Sequence, residues 1–156
     1  MAYIEQCVDI DAAPSVVWSV IADVERWPEW TRSTRSIRLL DGGELRNTAR
    51  ARVRLQGLAP STWQVTEFEA GRAFTWDTQV MPGLRMAARH LVEPKGDGSR
   101  VTLSITSTGA LARVSAPMIG AMSRRGMRLE AAGLKRRSEE RARSSSGTAS
   151  ESRFSI

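Results

Sequence analysis

The sequence predicts an α+β fold that combines an antiparallel sheet of seven strands with two short helices and one long C-terminal helix. Three observations lead to this prediction. Residues 3–11 have an imperfect period of two, residues 34–108 form six extended segments joined by short turns, and the segment from Ala110 has a helical period. Short turns join antiparallel neighbours, because parallel strands need crossovers of about a dozen residues or more.

The first strand and the two short helices follow from local signals near the start of the chain. Apolar side chains recur at every second position in much of residues 3–11, which is typical of an edge strand. Pro14 suits the first turn of a helix, because the N–H that proline lacks would have no partner there. Asp23 is placed to cap a second short helix over residues 24–29, since its carboxylate can accept the free N–H groups of that turn.

Six further strands are predicted between the short helices and the long one. Glycine and proline mark most of the turns between them. The strands are expected at about residues 34–40, 47–55, 61–69, 72–80, 84–93 and 99–108. The second of them alternates alanine and valine with arginine, and the arginines are Arg50, Arg52 and Arg54. Because burying an unpaired guanidinium is costly, we expect the arginines to face water and the small apolar residues to face the core.

The long helix is predicted from Ala110 to about Arg143. Its apolar residues recur at helical spacing, and Pro117 should either start the helix or kink it. Beyond Arg143 the sequence has no periodicity and little apolar surface to offset the entropy cost of ordering. We therefore expect one domain over residues 1–143 and a disordered tail over residues 144–156. The apolar series of the helix, which is expected to face the sheet, is Leu111, Val114, Met118, Met122 and Leu129.

Composition limits the compartment and the class of protein. No apolar run approaches the roughly 18 residues that span a bilayer, so no transmembrane segment is expected. The N-terminus lacks the basic flank and apolar stretch of a secretory signal. Cys7 is the only cysteine, which excludes an intrachain disulfide and favours a cytoplasmic location.

The net charge of +6 is concentrated in one segment. Residues 1–123 carry 14 basic against 13 acidic residues, whereas residues 124–143 carry 8 against 3. A nucleic-acid-binding domain usually spreads its cations over a docking face, so we expect no nucleic-acid partner. The segment 124–143 leaves open an interaction module that docks on an acidic partner or, peripherally, on an anionic membrane.

Four stretches of the sequence resemble the START/Bet v1-like (SRPBCC) superfamily, in particular its polyketide cyclase/dehydrase group. They are IDAAPSVVWSVIADVERWPEW (10–30), WQVTEFEAGRAFTW (63–76), RHLVEPKGDGSRVTL (89–103) and LKRRSEE (134–140). The resemblance implies the helix-grip fold, in which a curved sheet wraps around the long helix and leaves an elongated cavity for an apolar ligand. Trp18, Trp27 and Trp30 are expected to fill the base of such a cup, because each buries about 200 Å².

Two functions are compatible with this resemblance. The first is binding of a small hydrophobic ligand, such as a lipid, quinone, isoprenoid or polyketide-like compound. The second is a cyclase, aromatase or dehydratase that uses His90, the only histidine, as acid or base, with Asp77 or Glu67 as candidate partners. The expected ligand-binding residues are Trp63, Val65, Phe74, Trp76, Met86, His90, Met118 and Met122.

No cofactor or metal is expected. One histidine and one cysteine far apart in sequence do not make a typical zinc site, and GDGSR (96–100) is a hairpin turn rather than a phosphate-binding loop. The sequence leaves open whether the protein is a monomer or a homodimer.

Overall fold

The predicted α+β helix-grip fold is confirmed. The structure is a computed structural model that describes the backbone of residues 1–151 and the side chains of residues 1–147. Its strands are β1 (Ala2–Ile10), β2 (Thr34–Leu39), β3 (Arg50–Leu55), β4 (Ser61–Glu69), β5 (Ala73–Met81), β6 (Leu84–Lys95) and β7 (Gly98–Thr108). The helices are α1 (Pro14–Ala22), a short 3-10 helix (Val24–Glu29) and α2 (Ala112–Glu151).

All seven strands belong to one curled antiparallel sheet with the order β1-β7-β6-β5-β4-β3-β2. The strands β2 to β7 form the predicted meander, and β1 pairs with β7 so that Ile4 lies opposite Ile105. The arginines of β3 are exposed, while Ala51 and Val53 on its other face are 1% and 2% exposed. The core therefore lies on the concave face of the sheet, as the alternation in β3 predicted.

The short helices close one side of this concave face. Pro14 starts α1 as predicted, and Val17, Val20 and Ile21 of that helix are buried. Trp27 and Trp30 are 3% and 4% exposed, which confirms their predicted place in the core. The indole Nε1 of Trp27 donates a hydrogen bond of 2.9 Å to the carbonyl oxygen of Ile21, which joins the 3-10 helix to α1. Trp18 is partly buried and packs against the same core.

Helix α2 meets the core through a different face from the one predicted. Val114 and Met118, from the predicted core-facing series, are 81% and 66% exposed. The buried side carries five small residues together with Met127 and Leu134, and the small ones are Ala112, Gly120, Ala131, Gly133 and Ser138. The helix packs against β1, β7 and α1. The helical period was predicted correctly, but the side of α2 that faces the core was predicted wrongly. A hydrophobicity pattern gives no weight to the small residues that permit close packing.

Two local predictions also differ from the structure. Asp23 occupies the N-cap position of the 3-10 helix but its side chain makes no capping hydrogen bond and lies 3.6 Å from Arg26 Nε instead. Pro117 lies inside α2, which begins before it at Ala112 and continues past the predicted end at Arg143 to Glu151. The rest of the predicted tail, residues 152–156, lies outside the described residues.

Candidate functional site

A largely buried pair of polar side chains joins the sheet to α2. His90 lies on the inward face of β6, opposite Phe74 of β5 and Leu103 of β7. Its Nε2 is 2.9 Å from Oε1 of Glu130 on α2, and the two side chains are only 5% and 16% exposed. Burying a polar group costs free energy unless the group is hydrogen-bonded. The hydrogen bond between His90 and Glu130 therefore offsets the cost of burying both side chains.

Aromatic rings surround the imidazole of His90. The Phe74 ring stacks on it with a centroid distance of 4.5 Å and an interplanar angle of 9°. Trp27 lies 5.2 Å away by ring centroid and Trp76 lies 6.3 Å away in an edge-to-face arrangement. Trp63 extends the same aromatic group through Trp76, at 5.8 Å. The imidazole is thus held in one orientation by packing as well as by its hydrogen bond to Glu130.

The hydrogen bond to Glu130 determines what the second nitrogen of His90 can do. An ionised carboxylate only accepts hydrogen bonds, so Nε2 of a neutral imidazole paired with it carries the proton and donates. In that tautomer Nδ1 holds a lone pair, and it is buried without a hydrogen-bond partner among the described residues. With a neutral imidazole in that tautomer, the site offers one unpaired acceptor beside the aromatic rings of Trp27, Phe74 and Trp76.

The inward face of the sheet is open to solvent on the side of His90 that leads to the start of α2. Met86 and Ala88 of β6 and Ile105 of β7 are partly exposed although they point inward with His90. Ile119 and Ser123 in the first half of α2 are also partly exposed. On the other side of His90 the interior is filled by Trp27, Trp30 and Leu134, which are all buried. Apolar surface next to the histidine is thus accessible from one direction.

The predicted ligand-binding residues fall into two groups. Six of them lie on the inward faces of β4, β5 and β6, where the structure brings them together around the imidazole of His90. These six are Trp63, Val65, Phe74, Trp76, Met86 and His90 itself. Met118 and Met122 are 66% and 46% exposed, and they belong to the outward face of α2. The methionines are separated from the other six because α2 packs through its small residues.

The partner of His90 is a residue that sequence reasoning missed. The two candidates, Asp77 and Glu67, lie on the outer face of the sheet, where Asp77 binds Arg85 Nε at 2.9 Å and Glu67 accepts a hydrogen bond of 3.0 Å from Thr75. Glu130 is 40 positions from His90 in sequence. The sequence contains one indication of Glu130, because it is the one acidic residue in the basic run of residues 124–137.

Two surface pockets are lined mainly by residues outside this site, although Phe74 is among the lining residues of the second. The first has a volume of about 520 Å³ and is lined by the start of α1, the β4–β5 turn and the ends of β6 and β7. The second, of about 350 Å³, lies where the outer parts of β4 and β5 meet Arg89. Neither is the predicted elongated cavity between the sheet and α2. No group of three or more His, Cys, Asp or Glu side chains in the described part of the chain is arranged to hold a metal ion.

Solved structures with the same architecture come from several bacteria. A hypothetical protein from Helicobacter pylori superposes with a TM-score of 0.76 at 18% identity, covering 88% of this chain and 88% of that one. The Zhui aromatase/cyclase from a Streptomyces species gives 0.70 at 16% identity, covering 90% and 94%. The di-domain ARO/CYC BexL from the BE-7585A biosynthetic pathway gives 0.71 at 22% identity, covering 89% of this chain and 47% of that one. At these identities the similarity establishes the fold alone.

Sequence comparison identifies the family. No curated protein matches the chain significantly in sequence. A family model described as polyketide cyclase/dehydrase and lipid transport matches residues 1–139, which include every strand and most of α2. The chain therefore belongs to the polyketide cyclase/dehydrase and lipid transport family within the START/Bet v1-like superfamily.

Proposed function

We propose that the protein binds a small hydrophobic molecule on the inward face of the sheet, with His90 as the polar anchor. Lipids, quinones, isoprenoids and polyketide-like compounds are the classes that fit the apolar surface, and those members that carry a hydroxyl group can also donate a hydrogen bond to the buried acceptor. The observation that carries the proposal is the unpaired Nδ1 of His90 beside partly exposed Met86 and Ala88. A buried acceptor without a partner costs about 1–3 kcal/mol, and a hydroxyl group of a bound molecule would remove that cost.

The expected affinity follows from the surface that such a ligand would cover. Burying about 300 Å² of apolar ligand surface is worth roughly 7 kcal/mol before the cost of association. Apolar contact alone therefore supports binding in the micromolar range at best. The hydrogen bond to His90 would select among ligands of similar size, because a ligand without a donor leaves Nδ1 unpaired.

The test fills the proposed space with a larger side chain. Ala88 points inward next to His90, and its neighbour Ala87 points outward from the same strand. We expect Ala88→Phe to abolish competable binding of an apolar fluorescent probe, since the new ring occupies the probe's position. Ala87→Phe is the matched control and should bind the probe like the unmodified protein. Equal binding by both variants, or no stoichiometric binding by the unmodified protein, would show that the inward face is not the site.

A second candidate function is an enzyme that acts on a polyketide-like substrate. It is favoured by the arrangement of Glu130, His90 and the free Nδ1, in which a carboxylate fixes the tautomer of an imidazole and would stabilise the imidazolium. With that arrangement Nδ1 can take a proton from an acidic carbon between two carbonyl groups, as in cyclisation, and return it to a departing hydroxyl, as in dehydration. The general base would then be His90 and the positioning residue Glu130.

Separate measurements of binding and turnover distinguish the two functions. His90→Gln keeps a polar group at the position but removes the base, so it should abolish turnover while reducing ligand affinity only modestly. Glu130→Gln retains a hydrogen-bonding partner but cannot stabilise an imidazolium, so it should lower turnover more than affinity. Unchanged turnover in His90→Gln would remove His90 from the mechanism and leave ligand binding as the function.

A further inference from the structure

The first half of α2, with Leu111 immediately before it, presents a row of apolar side chains to solvent. We call it the exposed ridge, and it consists of Leu111, Val114, Met118, Met122 and Leu129, which are between 37% and 81% exposed. The β5–β6 hairpin extends it at one end, because the N–H of Leu111 donates a hydrogen bond of 2.9 Å to the carbonyl oxygen of Gly83. Val80 and Met81 of that hairpin are 45% and 49% exposed. Contiguous exposed apolar surface of this kind usually marks a site of interaction.

Four exposed arginines lie in the same part of the chain as the exposed ridge. Arg113, Arg124, Arg125 and Arg128 are exposed and, among the described residues, form no ion pair. No acidic residue occurs between Leu111 and Leu129. In the second half of α2, Lys135 pairs with Glu139 and Arg137 with Glu29, both at 2.6 Å, while Arg136 and Arg141 donate hydrogen bonds to neutral oxygens. The exposed apolar side chains of the first half therefore share their stretch of chain with basic but no acidic residues.

We propose that the exposed ridge docks on the surface of a bilayer that contains anionic phospholipids. A bilayer surface offers acyl chains to an apolar helix face and phosphate groups to the arginines beside it, which is the combination that interfacial helices use. The ridge is convex, so it suits insertion into a fluid surface better than a fixed protein pocket. Its two methionines are flexible and adapt to irregular apolar surroundings.

Charge argues against a second copy of the chain as the occupant. In a two-fold symmetric dimer the same surface patch meets itself. A dimer through the exposed ridge would then bring Arg113, Arg124, Arg125 and Arg128 of both copies to one interface, with no acidic side chain of the ridge to compensate them. Like charges placed opposite each other oppose association, whereas an anionic lipid surface attracts them.

The proposal is tested with vesicles and the full chain. We expect cosedimentation with vesicles of phosphatidylcholine mixed with phosphatidylglycerol, little with phosphatidylcholine alone, and weaker binding at high salt. The variant Met118→Ser/Met122→Ser should lower the partition coefficient about tenfold or more, because it removes the apolar contact. The variant Arg124→Gln/Arg125→Gln/Arg128→Gln should lower it about fivefold per arginine.

Matched controls change the same residue types elsewhere on the surface. Leu40 and Leu58 are 44% and 47% exposed, so Leu40→Ser/Leu58→Ser removes similar apolar surface away from α2. Arg35→Gln/Arg38→Gln/Arg54→Gln removes three exposed arginines of β2 and β3. Both controls should bind the mixed vesicles nearly as well as the unmodified protein.

Three results would overturn the proposal. They are absence of binding to the mixed vesicles, binding that the methionine variant leaves unchanged, and a dimer in native mass spectrometry that Met118→Ser/Met122→Ser dissociates. The last result would assign the exposed ridge to a second copy. None of them affects the proposed ligand site, because that site is measured by probe binding and lies on the opposite side of α2.

Discussion

At the scale of single residues, one glycine sets how closely α2 approaches the short helices. Gly133 is buried against Trp30, and a Cβ added there would overlap the carbonyl oxygen of Trp30. The same oxygen accepts a hydrogen bond of 3.1 Å from Nη2 of Arg136, one turn further along the helix. The absence of a side chain at position 133 therefore permits both the close packing and the hydrogen bond that fixes it.

Replacing Gly133 by alanine should destabilise the protein by about 2 kcal/mol or more. The added methyl group meets backbone rather than a movable side chain, so α2 or the segment at Trp30 has to shift. Gly126 of the same helix is the control, because a Cβ there meets nothing within 4 Å. We expect Gly126→Ala to stabilise the helix by about 0.5–1 kcal/mol. Urea unfolding of both variants measures the two effects, and equal stability of the two would contradict the close contact at Gly133.

The site shows which single residues a sequence reveals. His90 could be proposed from sequence because it is the only histidine and shares a strand face with apolar residues. Its aromatic neighbours on β5 could be proposed because strand alternation places Phe74 and Trp76 on one face. Glu130 could not, since only the rotation of α2 about its axis brings that carboxylate to the histidine. The rotation is set by close contacts such as that of Gly133, which leave no trace in a hydrophobicity pattern.

At the scale of elements, a polar clasp ties the second half of α2 to the end of β1. Oε1 of Glu139 accepts a hydrogen bond of 3.0 Å from the backbone N–H of Asp11 and lies 2.6 Å from Nζ of Lys135. Nζ of Lys135 also donates to the carbonyl oxygen of Asp9 at 3.1 Å. The ammonium group of Lys135 and the N–H of Asp11 hold the pKa of Glu139 below its usual value. The ionised carboxylate is thus the form that stabilises this contact.

The clasp predicts a pH-dependent contribution to stability. A carboxyl whose pKa is lowered by folding stabilises the folded state above its unfolded pKa, and this contribution is lost as pH falls through the folded pKa. We expect Glu139→Gln to lower the free energy of unfolding by about 1 kcal/mol at neutral pH. The difference from the unmodified protein should shrink toward zero in acid, where Glu139 is neutral. Urea unfolding at several pH values measures this.

Glu140 provides the control for the clasp. It is the next residue on the helix and is exposed. Glu140→Gln should change stability little at any pH, since exposed carboxylates contribute weakly. A difference for Glu139→Gln that stays constant from neutral to acid pH would mean that its charge is not what stabilises the contact.

Elements also differ in how well sequence predicts them. The strands were predicted to within three residues at each end, because alternation and turn residues are local signals and each strand only has to find its neighbour in the meander. The helix α2 was predicted as a helix, but the side of it that packs on the core was predicted wrongly. Its outward series Val114, Met118 and Met122 has the spacing of a core stripe, while its inward side is marked by Gly120 and Ala131, whose size matters more than their hydrophobicity.

At the scale of the whole molecule, α2 serves two surfaces at once. Its inward side supplies Glu130 to the proposed ligand site and closes the concave face with Leu134 and Ser138, both fully buried. Its outward side carries the exposed ridge. No helix in the described part of the chain is long and apolar enough to cross a bilayer. If the exposed ridge docks on a bilayer, the start of α2 lies at the bilayer surface. The partly open side of the concave face leads to the start of α2, so it would then lie close to the bilayer.

The last prediction concerns how much of α2 the fold requires. Residues 129–143 contain the buried side chains Ala131, Leu134 and Ser138, of which Ala131 and Leu134 belong to the same core cluster as Trp27 and Trp30. A chain that ends at residue 128 exposes those two tryptophans, each of which buries about 200 Å² when covered, against a typical net stability of only about 5–15 kcal/mol. We expect it to lack cooperative thermal unfolding and the near-ultraviolet circular dichroism of packed tryptophans.

A chain that ends at residue 143 loses residues whose side chains are exposed as far as they are described. Its free energy of unfolding should therefore lie within about 1 kcal/mol of that of the full chain. Loss of cooperative unfolding in the chain that ends at residue 143 would place the domain boundary further along α2, and a folded chain that ends at residue 128 would show that the sheet and short helices form the core without it.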